Sequence, residues 1–229
     1  MGDSVIAEER ELRSTVSKCT SCPSLVAHRK QVVFASGPVS ADLMFIGEAP
    51  GANEDREGIP FIGASGRLLD ELLESIEMNR DEVYITNVVK CRPPENRDPL
   101  AAEIQNCAGF LRRQIELVAP IVVVTLGNFA TRLLRGDGAG ITTIHGQPER
   151  RSFGERAVWL FPVFHPAAAL YRRPNLQLLR EDFARLPALV RGGPPTQTTA
   201  SDRAATDMSV ERGAGERVAV SKPPQLDLF

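Results

Sequence analysis

Apolar residues along the chain fall into two alternating rhythms. Leu43-Met44-Phe45-Ile46 is an uninterrupted apolar run within 42–47, Val83-Tyr84-Ile85-Thr86 is a second that ends at Asn87, and residues 120–126 form a third. Runs this short, without polar alternation, predict strands buried on both faces. Helical spacing recurs between them. Leu68, Leu69, Leu72, Leu73 and Ile76 share one face of a helix for which Ser65 reads as the N-cap. Asp98-Pro99 opens a helix to about Leu117, residues 128–134 form a short one, and Asn175 to about Val190 the last. A first helix over 6–18 sets Ile6, Leu12 and Val16 on one side and delivers the chain to Cys19. Residues 141–164 read as a strand and hairpin finishing in Trp159-Leu160-Phe161-Pro162-Val163-Phe164. Strands alternating with helices predict the α/β class, as a three-layer α/β/α sandwich with a short, mainly parallel central sheet.

Periodicity stops at Arg191. From there to Lys222 the chain is Gly, Pro, Thr, Ser, Ala and scattered charge, the composition of a disordered C-terminal tail. The predicted organisation is one domain over 1–190 and a tether over 191–229, consistent with 229 residues and 42% hydrophobic composition. No apolar run approaches the ~18–20 residues of a membrane span, and the N-terminus has no signal-peptide core, so a cytoplasmic location is expected. A net charge of −2 argues weakly against nucleic acid. Local charge argues the other way, because Arg150, Arg151, Arg156, Arg172, Arg173, Arg180 and Arg185 outnumber the acids between His145 and Arg185.

Four cysteines are present: Cys19 and Cys22 from one turn, and Cys91 and Cys107 separated by fifteen residues. A reducing cytoplasm disfavours disulfides, and four thiolates are what one metal site consumes, so all four can ligate one [4Fe-4S] cluster or one Zn²⁺. Spacing alone does not choose the metal, and a redox dithiol at Cys19–Cys22 is the competing reading. Pro23 and the Arg92-Pro93-Pro94 run stiffen the ligand loops.

The densest chemistry follows the first strand. Residues 47–66 hold Gly, Pro, Glu48, Glu54 and Asp55 in one turn. At a strand's C-terminal edge such a turn offers backbone amides and carboxylates where open α/β sheets bind ligands. A Gly-rich phosphate turn is the alternative, made less attractive by these acids. Asn87 ends the second strand, and His165 precedes Pro166-Ala167-Ala168-Ala169-Leu170-Tyr171-Arg172-Arg173 at another strand end.

Gly47-Glu48-Ala49-Pro50-Gly51 with its following turn, and the His165–Arg173 segment, resemble the two signatures of the family 4 uracil-DNA glycosylases, the iron–sulfur branch of that superfamily. The resemblance covers roughly residues 15–190. It implies a monofunctional uracil-DNA glycosylase that hydrolyses the N-glycosidic bond of deoxyuridine and leaves an abasic site, with one [4Fe-4S] cluster on Cys19, Cys22, Cys91 and Cys107. It also implies uracil-containing DNA, single- or double-stranded, as the partner of a monomer. Such an enzyme must flip the base, grip its edge and face, and stabilise a cationic sugar and an anionic leaving base. Glu48 and Glu54 are then the catalytic acids, without a choice between them for the water. Gly47, Ala49 and Gly51 line the uracil pocket with backbone, Phe61 stacks on the base, and Asn87 reads its edge with one donor and one acceptor. His165 donates to uracil O2 as charge builds there. Leu170 or Tyr171 fills the gap left in the duplex, Arg172 and Arg173 meet phosphates, and the helix starts near Ser65 and Asn128 hold others.

Two departures within the superfamily matter. Gly51 stands where some branches carry a bulky residue against the thymine methyl, so thymine must be excluded otherwise, with Glu54 as the candidate. A branch that traps the sugar covalently has Gln at the position of Ala49 and a histidine in the loop that here reads Lys90-Cys91-Arg92-Pro93-Pro94-Glu95-Asn96-Arg97, so turnover is expected. Finally, Gln225-Leu226-Asp227-Leu228-Phe229 resembles the pentapeptide by which bacterial replication and repair proteins bind the sliding clamp, which implies a bacterial cytoplasm. Excision of another deaminated base, or a non-catalytic iron–sulfur DNA-binding protein, are the alternatives.

Overall fold

The computed structural model describes residues 2–154 and 156–196. The pentapeptide Gln225–Phe229 and the predicted disorder beyond residue 196 lie outside the described residues.

Five strands form one sheet: β1 (Leu43–Gly47), β2 (Tyr84–Asn87), β3 (Val122–Leu126), β4 (Glu149–Phe153) and β5 (Arg156–Val163). Their spatial order is β2-β1-β3-β5-β4, with all neighbours parallel except the β4–β5 hairpin at one edge. Side chains alternate between two cores because successive strand residues point to opposite faces. Met44, Ile46, Val123, Val158 and Leu160 join one core, with Leu111 and Ile115 from α5 (Ala101–Val118), Val16 from α1 (Gly2–Ser17) and Leu134 from α6 (Asn128–Arg135). Leu43, Phe45, Val122, Val124, Phe161 and Val163 join the other. That second core is completed by Leu68, Leu69, Leu72 and Leu73 of α4 (Ala64–Glu74), Leu179 and Phe183 of α9 (Arg173–Phe183), and Leu186 of α10 (Leu186–Gly192). Burial on both faces is why the strands read as continuous apolar runs. The three-layer α/β/α architecture is therefore present as expected.

Several local expectations are corrected. Residues 141–144 form a one-turn helix, α7 (Ile141–Ile144), where a strand was expected. The β-branched pair Thr142-Thr143 favours a strand, but the segment is pinned between Gly140 and a left-handed Gly146, with the Ile141 amide donating to Asn128 Oδ1. The last helix divides into α9 and α10 because Pro187, in the first turn of the second, cannot extend the hydrogen-bond ladder. Helix α10 also continues past residue 190, to Gly192. Trp159 Nε1 donates to the Gly193 carbonyl and Arg150 Nε to that of Thr196, holding the chain against the β4–β5 edge. Ser65 is not the cap of α4: Gly63 occupies the N-cap, and Ser65 sits inside the first turn. Ile6 remains exposed although Val16, on the same helix, is buried.

Three short helices carried no sequence signal: α2 (Pro23–His28), α3 (Ala52–Glu57) and α8 (Pro166–Leu170). The Ala-Asn-Glu-Asp-Arg-Glu of α3 has no apolar stripe. It is held instead by its ends, Gly51 and a left-handed Gly58, and by buried Asp55, whose carboxylate accepts the Lys30 amide.

Candidate active site

A cleft of about 410 Å³ opens at the C-terminal edge of the sheet, lined by Glu48, Ala49, Gly51, Glu54, Phe61 and Asn87, with Ser65, Asn96, Arg97 and His165 around them. Register explains the convergence. Gly47 pairs with Asn87 and Leu126 with Val163, so β1, β2, β3 and β5 end together, and the chain leaves β1 for β2 on one side and β3 on the other. This is the switch-point crevice where open α/β sheets bind ligands.

At its floor, Asn87 is almost wholly buried, and its Oδ1 has no hydrogen-bond partner among the described residues. An orphaned buried acceptor costs ~1–3 kcal/mol unless a ligand donor meets it. A Cβ on Gly47 would lie 2.5 Å from both Asn87 Oδ1 and Phe61 Cζ, so only glycine lets amide and ring approach the strand end. Phe61 is buried and takes φ +53, a left-handed conformation uncommon for a bulky residue and costing ~1–3 kcal/mol. Its ring centroid lies 5.6 Å from that of His165.

His165 caps α8, and its Nδ1 accepts the Ala167 amide at 3.1 Å. That bond requires the lone pair on Nδ1 and leaves the neutral ring's proton on Nε2. Burial pushes its pKa down to about 4, opposed by the Glu54 carboxylate, so the ring is neutral near pH 7. Gly127, at φ +88, lets the start of α6 pack against the His165 Cβ.

The two acids differ. Burial, helped by Asp98, pushes Glu48 up to about 7. Glu54 is instead anchored: its Oε1 accepts the amides of Ile62 and Gly63 at 3.0 and 2.9 Å. A Cβ on Gly51 would stand 2.7 Å from Glu54 Oε2, so Glu54 occupies the space a bulkier residue at 51 would take.

Around the rim, Leu170 and Tyr171 are exposed, Tyr171 to 89%, at the end of α8 beside exposed Arg172 and Arg173. Ser65 lines the cleft, while Asn128 begins α6 with its Oδ1 already accepting the Ile141 amide. Part of the basic stripe is neutralised: Arg151, together with Arg135 of α6, pairs with Glu149 of β4. Sequence reasoning missed Asn96 and Arg97, which reach the cleft from a loop where Glu95 and Asn96 both take positive φ. The cysteine spacing pointed to that loop without showing that it forms a cleft wall.

The four cysteines are unpaired, Cys91 and Cys107 buried and Cys19 and Cys22 half-buried. Three segments bring them into one neighbourhood. Arg29 donates to Cys91 Sγ at 3.0 Å and to the Cys19 carbonyl, while Asn106 donates to Cys22 Sγ at 3.4 Å and to the Ser21 carbonyl. Burial pushes the Cys107 thiol up to about 11, opposed by Lys90, and also raises Cys91, opposed by Arg29. Among the described residues no group of three or more Cys, His, Asp or Glu stands in metal-holding geometry. The donor set nevertheless suits a thiolate-ligated group: Cys91 lies within electrostatic reach of Cys19 and Cys22, and Cys107 of Cys91 and Cys22, beside Arg29 and fully buried Lys90. Lys90 Nζ also donates to Thr86 Oγ1 and the Asn87 carbonyl, joining this region to the cleft floor.

The uracil DNA glycosylase superfamily model matches residues 34–186. A type-4 uracil-DNA glycosylase of Sulfurisphaera tokodaii is 43% identical over 182 residues, 77% of this chain and 82% of that protein. One from Thermotoga maritima is 40% identical over 179 residues, 77% and 91% of the two chains, and one from Archaeoglobus fulgidus 37% over 191 residues, 81% and 96%. A match spanning the whole sheet and its cleft, with relatives this alike over most of their length, makes the chain a member of the uracil DNA glycosylase superfamily.

Proposed function

We infer that the chain is a monofunctional uracil-DNA glycosylase, hydrolysing the N-glycosidic bond of deoxyuridine in DNA to leave an abasic site. The observation that carries this is the orphaned Asn87 Oδ1, buried beside Phe61 and His165 in a cleft at the sheet's switch point. That acceptor suits a uracil N3–H, and the same amide's Nδ2 suits O4. Cytosine presents the reversed pattern and would leave both groups unpaired.

In this reading the flipped base stacks on Phe61 between the backbone of Gly47, Ala49 and Gly51 and the edge of Asn87. As the glycosidic bond breaks, the electron pair leaves with the base, and the Nε2–H of neutral His165 donates to uracil O2 where negative charge accumulates. The ionised Glu48 carboxylate faces the sugar, stabilising positive charge at the anomeric carbon and orienting the water that attacks it. Glu54 acts beside it by fixing the 61–63 turn and by filling the space next to Gly51 against a thymine methyl. Leu170 or Tyr171 wedges into the vacated stack, Arg172 and Arg173 hold phosphates, and the amides at the starts of α4 and α6, near Ser65 and Asn128, hold others.

Cys19, Cys22, Cys91 and Cys107 would hold one [4Fe-4S] cluster, which binds the N-terminal segment to the loop after β2 and to α5. Supporting this are the thiol-only donor set and the Arg29 guanidinium, which offsets the negative charge of thiolate ligands. Action as a monomer in a bacterial cytoplasm completes the reading, since one copy supplies every group named, with Gln225–Phe229 docking on the sliding clamp. Incubation of metal-replete protein with uracil-containing single- and double-stranded oligonucleotides, followed by alkaline cleavage, tests the activity. Strand breaks at uracil and not at thymine or cytosine are expected, and intact strands at uracil would refute it.

A further inference from the structure

Phe61 can present a flat face to a base only while its turn keeps an unfavourable backbone conformation, and two oppositely charged side chains hold that turn. On one side Glu54 Oε1 accepts the amides of Ile62 and Gly63. On the other, half-buried Arg80 donates from Nη1 to the Phe61 carbonyl at 2.9 Å and from Nη2 to the Pro60 carbonyl. The Phe61–Ile62 peptide is therefore gripped by an anion at its N–H and a cation at its C=O, with the peptide before it held at the carbonyl and the one after it at the amide. A fork with two parallel donors suits a pair of adjacent carbonyls, whereas an ammonium offers no such geometry.

Arg80 is itself fixed. Asp70 of α4 accepts from its Nη1 at 3.0 Å, and the residue opens a short turn stapled by Asn79 and Glu82, which accept each other's backbone amides. Gly66 lies against the Phe61 carbonyl so closely that a Cβ there would clash with it, leaving that oxygen directed at the guanidinium. No cleft-lining atom belongs to Arg80, so it does not touch the base.

We propose that Arg80 is a positioning residue for uracil recognition, holding the Pro60–Phe61 carbonyls so that the strained Phe61 turn presents its ring to the flipped base. The proposal rests on the glycosylase reading above. Removing the guanidinium frees the turn to relax toward negative φ, which swings the ring away and weakens both base capture and its alignment with His165.

A double-mutant cycle tests it, with kcat/KM on a uracil-containing duplex and inhibition by free uracil as readouts. Arg80→Met is expected to lower kcat/KM about tenfold and to weaken uracil inhibition in parallel, with Arg80→Lys close to it. In the Phe61→Ala background, already impaired, Arg80→Met is expected to cost less than about twofold, because the ring it positions is gone. A general structural role would instead lower Tm and cost the same factor in both backgrounds, and that result would overturn the proposal, as would Arg80→Met at wild-type activity. Should Arg80→Met fail to fold, Asp70→Asn carries the same cycle in milder form, about threefold alone and near unity beside Phe61→Ala. No excision by the wild type overturns the glycosylase reading and this role together, whereas excision with multiplicative losses overturns only the role.

Discussion

Glu48 and His165 are both displaced by burial, in directions that suit opposite tasks. The His165 pKa falls to about 4, so a neutral donor is retained throughout the neutral range. The pKa of Glu48 rises to about 7, so its ionised form, the one that stabilises a cationic sugar, gains population as pH increases through neutrality. The pH profile of kcat/KM should therefore rise with an apparent pKa near 7, set by Glu48, with no second titration until the His165 value of about 4. Stability follows the opposite sign at Glu48. Its folded pKa lies above the ordinary 4.5, so the folded state is favoured below that value and loses the advantage as pH rises through about 7. Glu48→Gln should cut excision at least ~10²-fold yet melt higher than wild type at pH 9, with the difference vanishing near pH 4.5. Equal melting differences at both pH values would contradict the burial assigned to Glu48. Individual site residues were readable because each stands at or just after a strand end: Asn87, Glu48 and His165 are punctuated by apolar runs and, in two cases, by Gly or Pro. Arg80 was not. An arginine before a strand has no periodic or motif signal, and its role exists only through the carbonyls of a turn twenty residues earlier.

Among elements, the strands and long helices were legible because two-sided burial and amphipathic faces leave periodic marks. The short helices α2, α3 and α8 were not, since each is made by its ends and by tertiary hydrogen bonds such as Asp55 to the Lys30 amide or His165 to Ala167. The misread cap has the same origin. Ser65 is a good N-cap by composition, but Glu54, from a neighbouring helix, already accepts the Ile62 and Gly63 amides that lead into α4. The cysteine loop joins β2 to α5, and Cys107 lies on the face of α5 that meets the core. Cys107→Ala should therefore lose iron and lower Tm by at least ~5 °C together. Anaerobically purified wild type should be brown, absorbing near ~400 nm from thiolate-to-iron charge transfer. Colourless wild type carrying stoichiometric zinc would replace the cluster with a zinc site on the same four thiols.

For the whole molecule, the proposed catalysis and the proposed clamp docking are expected to be separable. The chemistry proposed above draws only on residues up to 173, and the sequence after residue 196 adds about thirty residues that end in Leu226, Leu228 and Phe229. If those residues form a flexible coil, their root-mean-square reach is roughly 30 Å, enough for a clamp-bound tip to leave the domain free on DNA. Deleting residues 225–229 should abolish binding to a bacterial sliding clamp in calorimetric titration while leaving excision on short oligonucleotides unchanged. Equal clamp binding by full-length and truncated protein, or none by either, would remove the docking role. Fold class and cleft position followed from strand-and-helix alternation and the switch-point rule, whereas the contacts made after residue 190 did not. The contacts of Trp159 and Arg150 with Gly193 and Thr196 involve backbone carbonyls, to which composition is blind.

The central claim is that buried Asn87, with its unpartnered Oδ1, reads uracil in this cleft. Its most direct test is single-turnover excision on a uracil-containing duplex by wild type and Asn87→Ala, with far-UV circular dichroism and metal content confirming that both are folded. The account predicts excision by the wild type and a loss of at least ~10²-fold in Asn87→Ala. Excision by Asn87→Ala at the wild-type rate would contradict it.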